Sequence, residues 1–306
     1  GRRNPEALHG RDVRQNGDSA AEGRARGVSA PHHFRAFTFV DRILAVQPGV
    51  SVRGQYHIPA TLTEFSLSLV AEATGQCAAW SALAAVDFKS RPVAGIAGLV
   101  EMLAPVRPGD TLELSAQIES VDADAIAYAG TASVNGSLVL RLQNCVGPML
   151  PVEDFDDPQA LRNHYALLCG AGASPDAFAG VPEIVCESTA NEPGQSLRAR
   201  LSVPAEAPFF HDHFPRKPVF PGTLLMRSKL QLVGKLAAEV PLPAGGREWK
   251  LQNVSDMKLR AFIEPGEVLD LEAKLVETAG TTLTILVESR RGKRLAGAAT
   301  VALVAA

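Results

Sequence analysis

A long-period internal repeat constrains this chain more than any other feature. Residues 37–56, FTFVDRILAVQPGVSVRGQY, alternate apolar and polar positions around Pro48-Gly49, the pattern of two strands joined by a turn. Residues 181–201, VPEIVCESTANEPGQSLRARL, do the same around Pro193-Gly194, and 193 less 48 gives an offset of 145. The offset persists through Ile58-Pro59-Ala60 against Val203-Pro204-Ala205 and through Phe65 against Phe210. Then it jumps. Gln76 answers Gln231 at an offset of 155, so the second copy carries ten extra residues, 211–220, just before its helix-like run. Downstream the copies agree again, VRPGDTLELSAQIESV against IEPGEVLDLEAKLVET, with Gly109 and Gly266 at an offset of 157.

Each copy reads as two strands, one long buried helix (66–85 and 222–239), then three or four alternating strands, at 92–104, 111–122, 125–134 and 138–147 in the first. That is an α+β unit, an antiparallel sheet wrapped around a central helix, present twice: residues 34–150 and 182–306. Between them, residues 151–181 form a Pro/Gly/Ala-rich linker. Inside it, Asp157 as N-cap, Pro158 at the first helical position and Gly170 past the end delimit one short helix. This composition predicts a linker that wraps outside with few buried contacts. Residues 1–33 lack the apolar run of a secretory signal and read as a disordered tail. Residues 65–86 are nearly uncharged, but Ser, Thr, Gln, Gly and Glu break the run, so a protein-buried helix is expected and no membrane span.

A net charge of -3 and a pI near 6.2 give no basic face for nucleic acid. Cys77, Cys145, Cys169 and Cys186 lie far apart without a metal-ligand rhythm, which suggests free thiols in a reducing, cytoplasmic compartment and no metal.

The extra ten residues sit in FFHDHFPRKPVFPG, residues 209–222. Here His213 to Gly222, HFPRKPVFPG, resembles the H-F-P-x-x-P-V-x-P-G loop of the acyl-carrier-protein dehydratases of the hotdog fold. FTFVDRILAVQPG is similar to that family's opening strand. The resemblance implies a tandem (double) hotdog that removes water from a 3-hydroxyacyl thioester, carried on acyl carrier protein or coenzyme A, with no cofactor. A homodimer of double hotdogs is compatible with it. In the family an acid follows the loop histidine on the buried helix, with a glutamine four residues later. The second half departs from this: its acid position is Arg227, although Gln231 is in place. The first half carries Glu72 and Gln76 but lacks the histidine loop. The losses are complementary, so the resemblance implies one composite site, His213 with Glu72, and one vestigial site around Arg227.

Dehydration needs a base for the C2 proton, an acid for the departing hydroxyl and a donor to the thioester oxygen. His213 suits the first role near neutrality. Glu72, the only charged residue between Phe65 and Val86, is expected to be buried and to give the proton. The backbone N–H of Gly222 at the helix start would face the thioester oxygen, glycine letting the substrate come close. Phe214, Phe220, Pro221 and Gln76 are expected against the substrate, Gln76 equally as a structural hydrogen-bonding group. Arg216 and Lys217 are either carrier-docking cations or a solvated loop. His57 aligns with Ser202 and has no assigned role, and Asp212, adjacent to His213, is expected to point away from it. The rival readings are an enoyl-thioester hydratase or a thioesterase of the same fold, and a non-catalytic acyl-carrier-binding scaffold.

Overall fold

The computed structural model describes residues 33–306, so the expected tail at 1–33 lies, but for its last residue, outside the described residues. Thirteen strands form one antiparallel sheet. Strands β1 (Arg42–Gln47) and β2 (Ser51–His57) form the first hairpin, with Gly49 at φ +72° in its turn. Helix α1 (Leu67–Ala85) follows, then β3 (Ser90–Pro92), β4 (Ile96–Met102), β5 (Thr111–Val121), β6 (Ala125–Val134) and β7 (Ser137–Pro151). The linker holds α2 (Pro158–Cys169). The second copy runs β8 (Cys186–Glu192), β9 (Ser196–Ser202), α3 (Gly222–Ala237), β10 (Trp249–Leu259), β11 (Val268–Ala279), β12 (Thr282–Arg291) and β13 (Arg294–Ala305).

The repeat is visible in the strand order, β1-β2-β5-β6-β7-β4-β10-β13-β12-β11-β9-β8, which is the same read from either end once the copies are matched. Its midpoint is the antiparallel pair β4–β10, with Val100 opposite Val254. Strands β2 and β9 each span seven residues at the offset of 145. Gly109 (φ +92°) and Gly266 (φ +79°) hold equivalent turns, where an added Cβ would lie 3.9 Å from Ala60 Cβ or Ala205 Cβ, two alanines that the repeat matches to each other. The short β3 has no place in that mirrored path; it pairs with the far end of β7, where Arg91 faces Leu150.

Helix α1 is apolar on most of its surface and is buried accordingly, through Leu69, Val70, Ala73, Cys77 and Leu83 among others. It packs on β2, β5, β6 and β7, while α3 packs on β9, β10, β11 and β12, and the two helices touch each other. Among the described residues no helix is long and apolar enough to cross a membrane.

The linker corrects the composition-based reading. Asp157 caps α2 as expected, its carboxylate accepting from the N–H groups of Gln159 and Ala160 at 2.8 and 2.9 Å. Yet Phe155, Asp156, Leu161, His164, Leu168 and Phe178 are all buried. Alanine-rich segments pack closely, and four large side chains here reach the core. Composition reported the small residues and concealed the anchors.

Candidate active site

His213 lies in the loop between a short 3-10 turn (Pro208–His211) and α3. Its ring Nδ1 is 2.8 Å from the carbonyl oxygen of Val219. A carbonyl can only accept, so Nδ1 carries the hydrogen and Nε2 keeps its lone pair. The ring stacks on Phe214 at 4.2 Å and meets Phe37 edge-on at 5.9 Å. Burial holds the imidazole pKa below its ordinary value; Glu72 and the Val219 carbonyl oppose the shift, and Arg91 adds to it. The loop is stiff because its prolines remove rotational freedom.

Glu72 and Gln76 are one helical turn apart on α1 and share a face. Gln76 is fully engaged: Oε1 accepts from the N–H of Phe39 at 2.9 Å, and Nε2 donates to the carbonyl of Phe37 and to Glu72 Oε1, both at 3.0 Å. The second oxygen of Glu72 accepts from the hydroxyl of Thr223 at 2.7 Å, across 151 residues of sequence. Thr223 follows Gly222 in the first turn of α3. A cavity of roughly 250 Å³ is lined by both His213 and Glu72, together with Gln76, Gly222 and Thr223.

Phe214 and Phe220 also line this cavity; Pro221 does not. The Pro221 carbonyl accepts from the N–H groups of Leu224 and Leu225 and so starts α3. Gly222 lines the cavity, and a Cβ there would also lie 2.4 Å from Leu259 Cδ1 at the end of β10. Arg216 donates to the carbonyl of Glu153 at 3.0 Å and pairs with Asp157 at 3.3 Å, and Lys217 lies over the Phe155 and Phe262 rings at 5.3 and 5.1 Å. Both cations therefore have intramolecular partners.

Arg227, in the place equivalent to Glu72, pairs with Glu64 beside a second cavity of roughly 230 Å³. His57 lies on β2, beside Thr111 and 3.8 Å from Asp176.

Two residues escaped the sequence reading. Thr223 gives no signal in sequence, because a contact between the starts of two helices in different copies has no local pattern. Asp212 has its partners far away in sequence. Its carboxylate accepts from the N–H groups of Phe34, Ala36 and Phe37 at 2.6–2.7 Å and from the Thr38 hydroxyl at 3.1 Å. With Gln76 on the other side, the segment 34–39 is stitched between the copies, next to both His213 and Glu72.

A half-buried imidazole and a carboxylate line one cavity, on a large antiparallel sheet with few helices, an architecture of the hotdog class. A solved structure with similar architecture is the oleoyl thioesterase (putative) of Lactobacillus plantarum, with a TM-score of 0.55 at 9% identity over 83% of this chain and 96% of that one, a likeness of fold alone. Residues 189–297 match the ApeI-like family, described as ApeI dehydratase. The 3-hydroxyacyl-[acyl-carrier-protein] dehydratase FabZ of Ruminiclostridium cellulolyticum is 36% identical over 103 residues, 33% of this chain and 72% of that protein. The FabZ of Shewanella oneidensis is 33% identical over 88 residues, 28% of this chain and 57% of that protein. The chain thus spans little more than half the length of the Shewanella relative. It belongs to the hotdog dehydratase family that includes these FabZ proteins.

Proposed function

We propose that the chain is a tandem of two hotdog units, residues 34–150 and 182–306 joined by 151–181, each half of the sheet wrapped on its own helix, α1 or α3. It carries one composite active site that dehydrates a 3-hydroxyacyl thioester to a 2-enoyl thioester. The observation that supports this best is the meeting of His213 and Glu72, from opposite copies, at one cavity. Nε2 of His213 takes the C2 proton; the electron pair forms the C2–C3 double bond as the C3–O bond breaks. The departing hydroxyl takes a proton from Glu72 and leaves as water. The proton on His213 then returns to Glu72 through solvent.

The hydrogen bonds around Glu72 suit both of its states. Gln76 Nε2 can only donate to Oε1, but the Thr223 hydroxyl donates to a carboxylate and accepts from a carboxylic acid. The N–H of Gly222 heads a helix without a side-chain cap and is free to polarise the thioester oxygen. Carrier protein rather than coenzyme A is the favoured carrier, by analogy with the FabZ relatives, which are 3-hydroxyacyl-[acyl-carrier-protein] dehydratases. Docking through Arg216 and Lys217 has less support, since both are engaged within the chain.

The deciding experiment incubates the protein with 3-hydroxyacyl thioesters of several lengths, on carrier protein and on coenzyme A, and follows loss of water by mass. Turnover supports the reading. Binding of acylated carrier without turnover, unchanged in His213→Ala, would replace it with the scaffold reading; release of free acid would replace it with a thioesterase.

A further inference from the structure

Arg91 lies on β3, the strand outside the mirrored path, and lines the same cavity as His213 and Glu72. Its guanidinium carbon sits 3.8 Å from the centroid of the Phe214 ring, which stacks in turn on His213. Nη1 approaches Asp156 Oδ2 at 3.6 Å, too far for a hydrogen bond. Both Nε and Nη1 are buried with no hydrogen-bond partner among the described residues. Asp156 lines the cavity as well, while Pro92, Val93 and Ala94, the lining residues that follow Arg91 in the chain, carry no polar side chain.

A guanidinium has five donors and no acceptor, and burying those donors unmet is unfavourable. A plain alkyl chain drawn past Arg91 would exclude solvent and supply nothing in exchange. The surrounding charge says which acceptor fits. Asp156 already faces Arg91, and Glu72 lies within electrostatic reach, so one cation meets two carboxylates. A substrate carboxylate would add a third anion. A neutral oxygen would take the hydrogen bond without that repulsion.

We propose that Arg91 is a substrate-binding residue that receives a neutral carbonyl or hydroxyl oxygen of the thioester substrate, distinct from the reacting C3 hydroxyl. This rests on the thioester reading above. The oxygen has two sources: an oxygenated acyl chain, or an amide carbonyl of the pantetheine arm.

The test is calorimetric binding of four thioesters to the full chain: a saturated alkyl chain and an equally long chain with a mid-chain ketone, each on pantetheine and as the S-ethyl thioester. None has a C3 hydroxyl to lose, so affinity is read apart from turnover. The wild type is expected to favour either the ketone or the pantetheine arm by roughly tenfold to a hundredfold, the range for a hydrogen bond to a charged group. Arg91→Met should erase that preference while keeping affinity for the S-ethyl alkyl thioester. A ketone preference assigns the oxygen to the acyl chain, a pantetheine preference to the arm. Absence of both preferences in the wild type, or their survival in Arg91→Met, would overturn the proposal. If Arg91→Met does not fold, Arg91→Lys, which keeps the charge but loses the planar fork, is read in the same way. Failure of all four thioesters to bind would overturn the thioester reading itself.

Discussion

At the residue scale the site depends on a few side chains held by partners distant in sequence. His213→Ala and Glu72→Gln should each slow dehydration by roughly 10² to 10⁴, the range for losing a general acid or base. The double variant should be little slower than the worse single one, because the two groups serve one turnover. Burial holds the imidazole of His213 below its ordinary pKa, so the acid limb of kcat/KM should fall at a pH below about 6.5. An acid limb above that value would contradict the assignment of His213 as the base. Asp212 acts differently. Burial raises its carboxyl pKa, while the N–H groups of segment 34–37, His33 and the Thr38 hydroxyl pull it back. Asp212→Asn puts an amide where those donors converge, and should lower stability by about 2–4 kcal/mol and expose residues 34–39 to protease. Unchanged melting would show that this clamp carries no stability.

At the element scale α2 behaves as part of the core. His164 on its buried face stacks on Phe34 at 3.9 Å, beside Trp80, and its Nε2 has no hydrogen-bond partner among the described residues. Burial, with help from His33 and against Asp156, pushes its pKa down to about 4. The unfolded chain takes this proton near pH 6.5, the native one only near 4. Between those values the unfolded state binds more protons, so stability is fully present above 6.5 and falls as pH drops towards 4, by about 3 kcal/mol in all. Urea midpoints measured across this window should show the slope, and His164→Phe should reduce it. His213 contributes a slope of the same sign, which that variant leaves in place. Equal slopes in the two proteins would remove α2 from the account.

At the scale of the whole molecule, the seam between β4 and β10 and the contact between α1 and α3 join the copies. Neither copy holds both His213 and Glu72, so the proposed composite site requires the seam. Cleavage should begin in the exposed stretch at 174–176, after α2, and the nicked chain should stay associated and active. Gel filtration with an activity assay on the nicked protein checks this; fragments that separate under native conditions would show that the seam is too weak to hold the site. Intact protein should unfold in one transition, since the sheet runs unbroken through both copies.

The strand and helix periods, the turn at Gly49 and the cap at Asp157 were legible in sequence because each depends on residues within a turn or a strand of one another, and the repeat because both copies keep the same local patterns. The family resemblance, with Glu72 lacking a histidine loop and His213 lacking an acid, is what led to the proposed pairing of the copies. What sequence could not report is which groups meet when distant segments fold together. The Thr223 bond to Glu72, the grip of Asp212 on residues 34–38, the buried anchors of the linker and the unmet guanidinium of Arg91 have no periodic signature. They are decided by the close packing of one copy, and its linker, against the other.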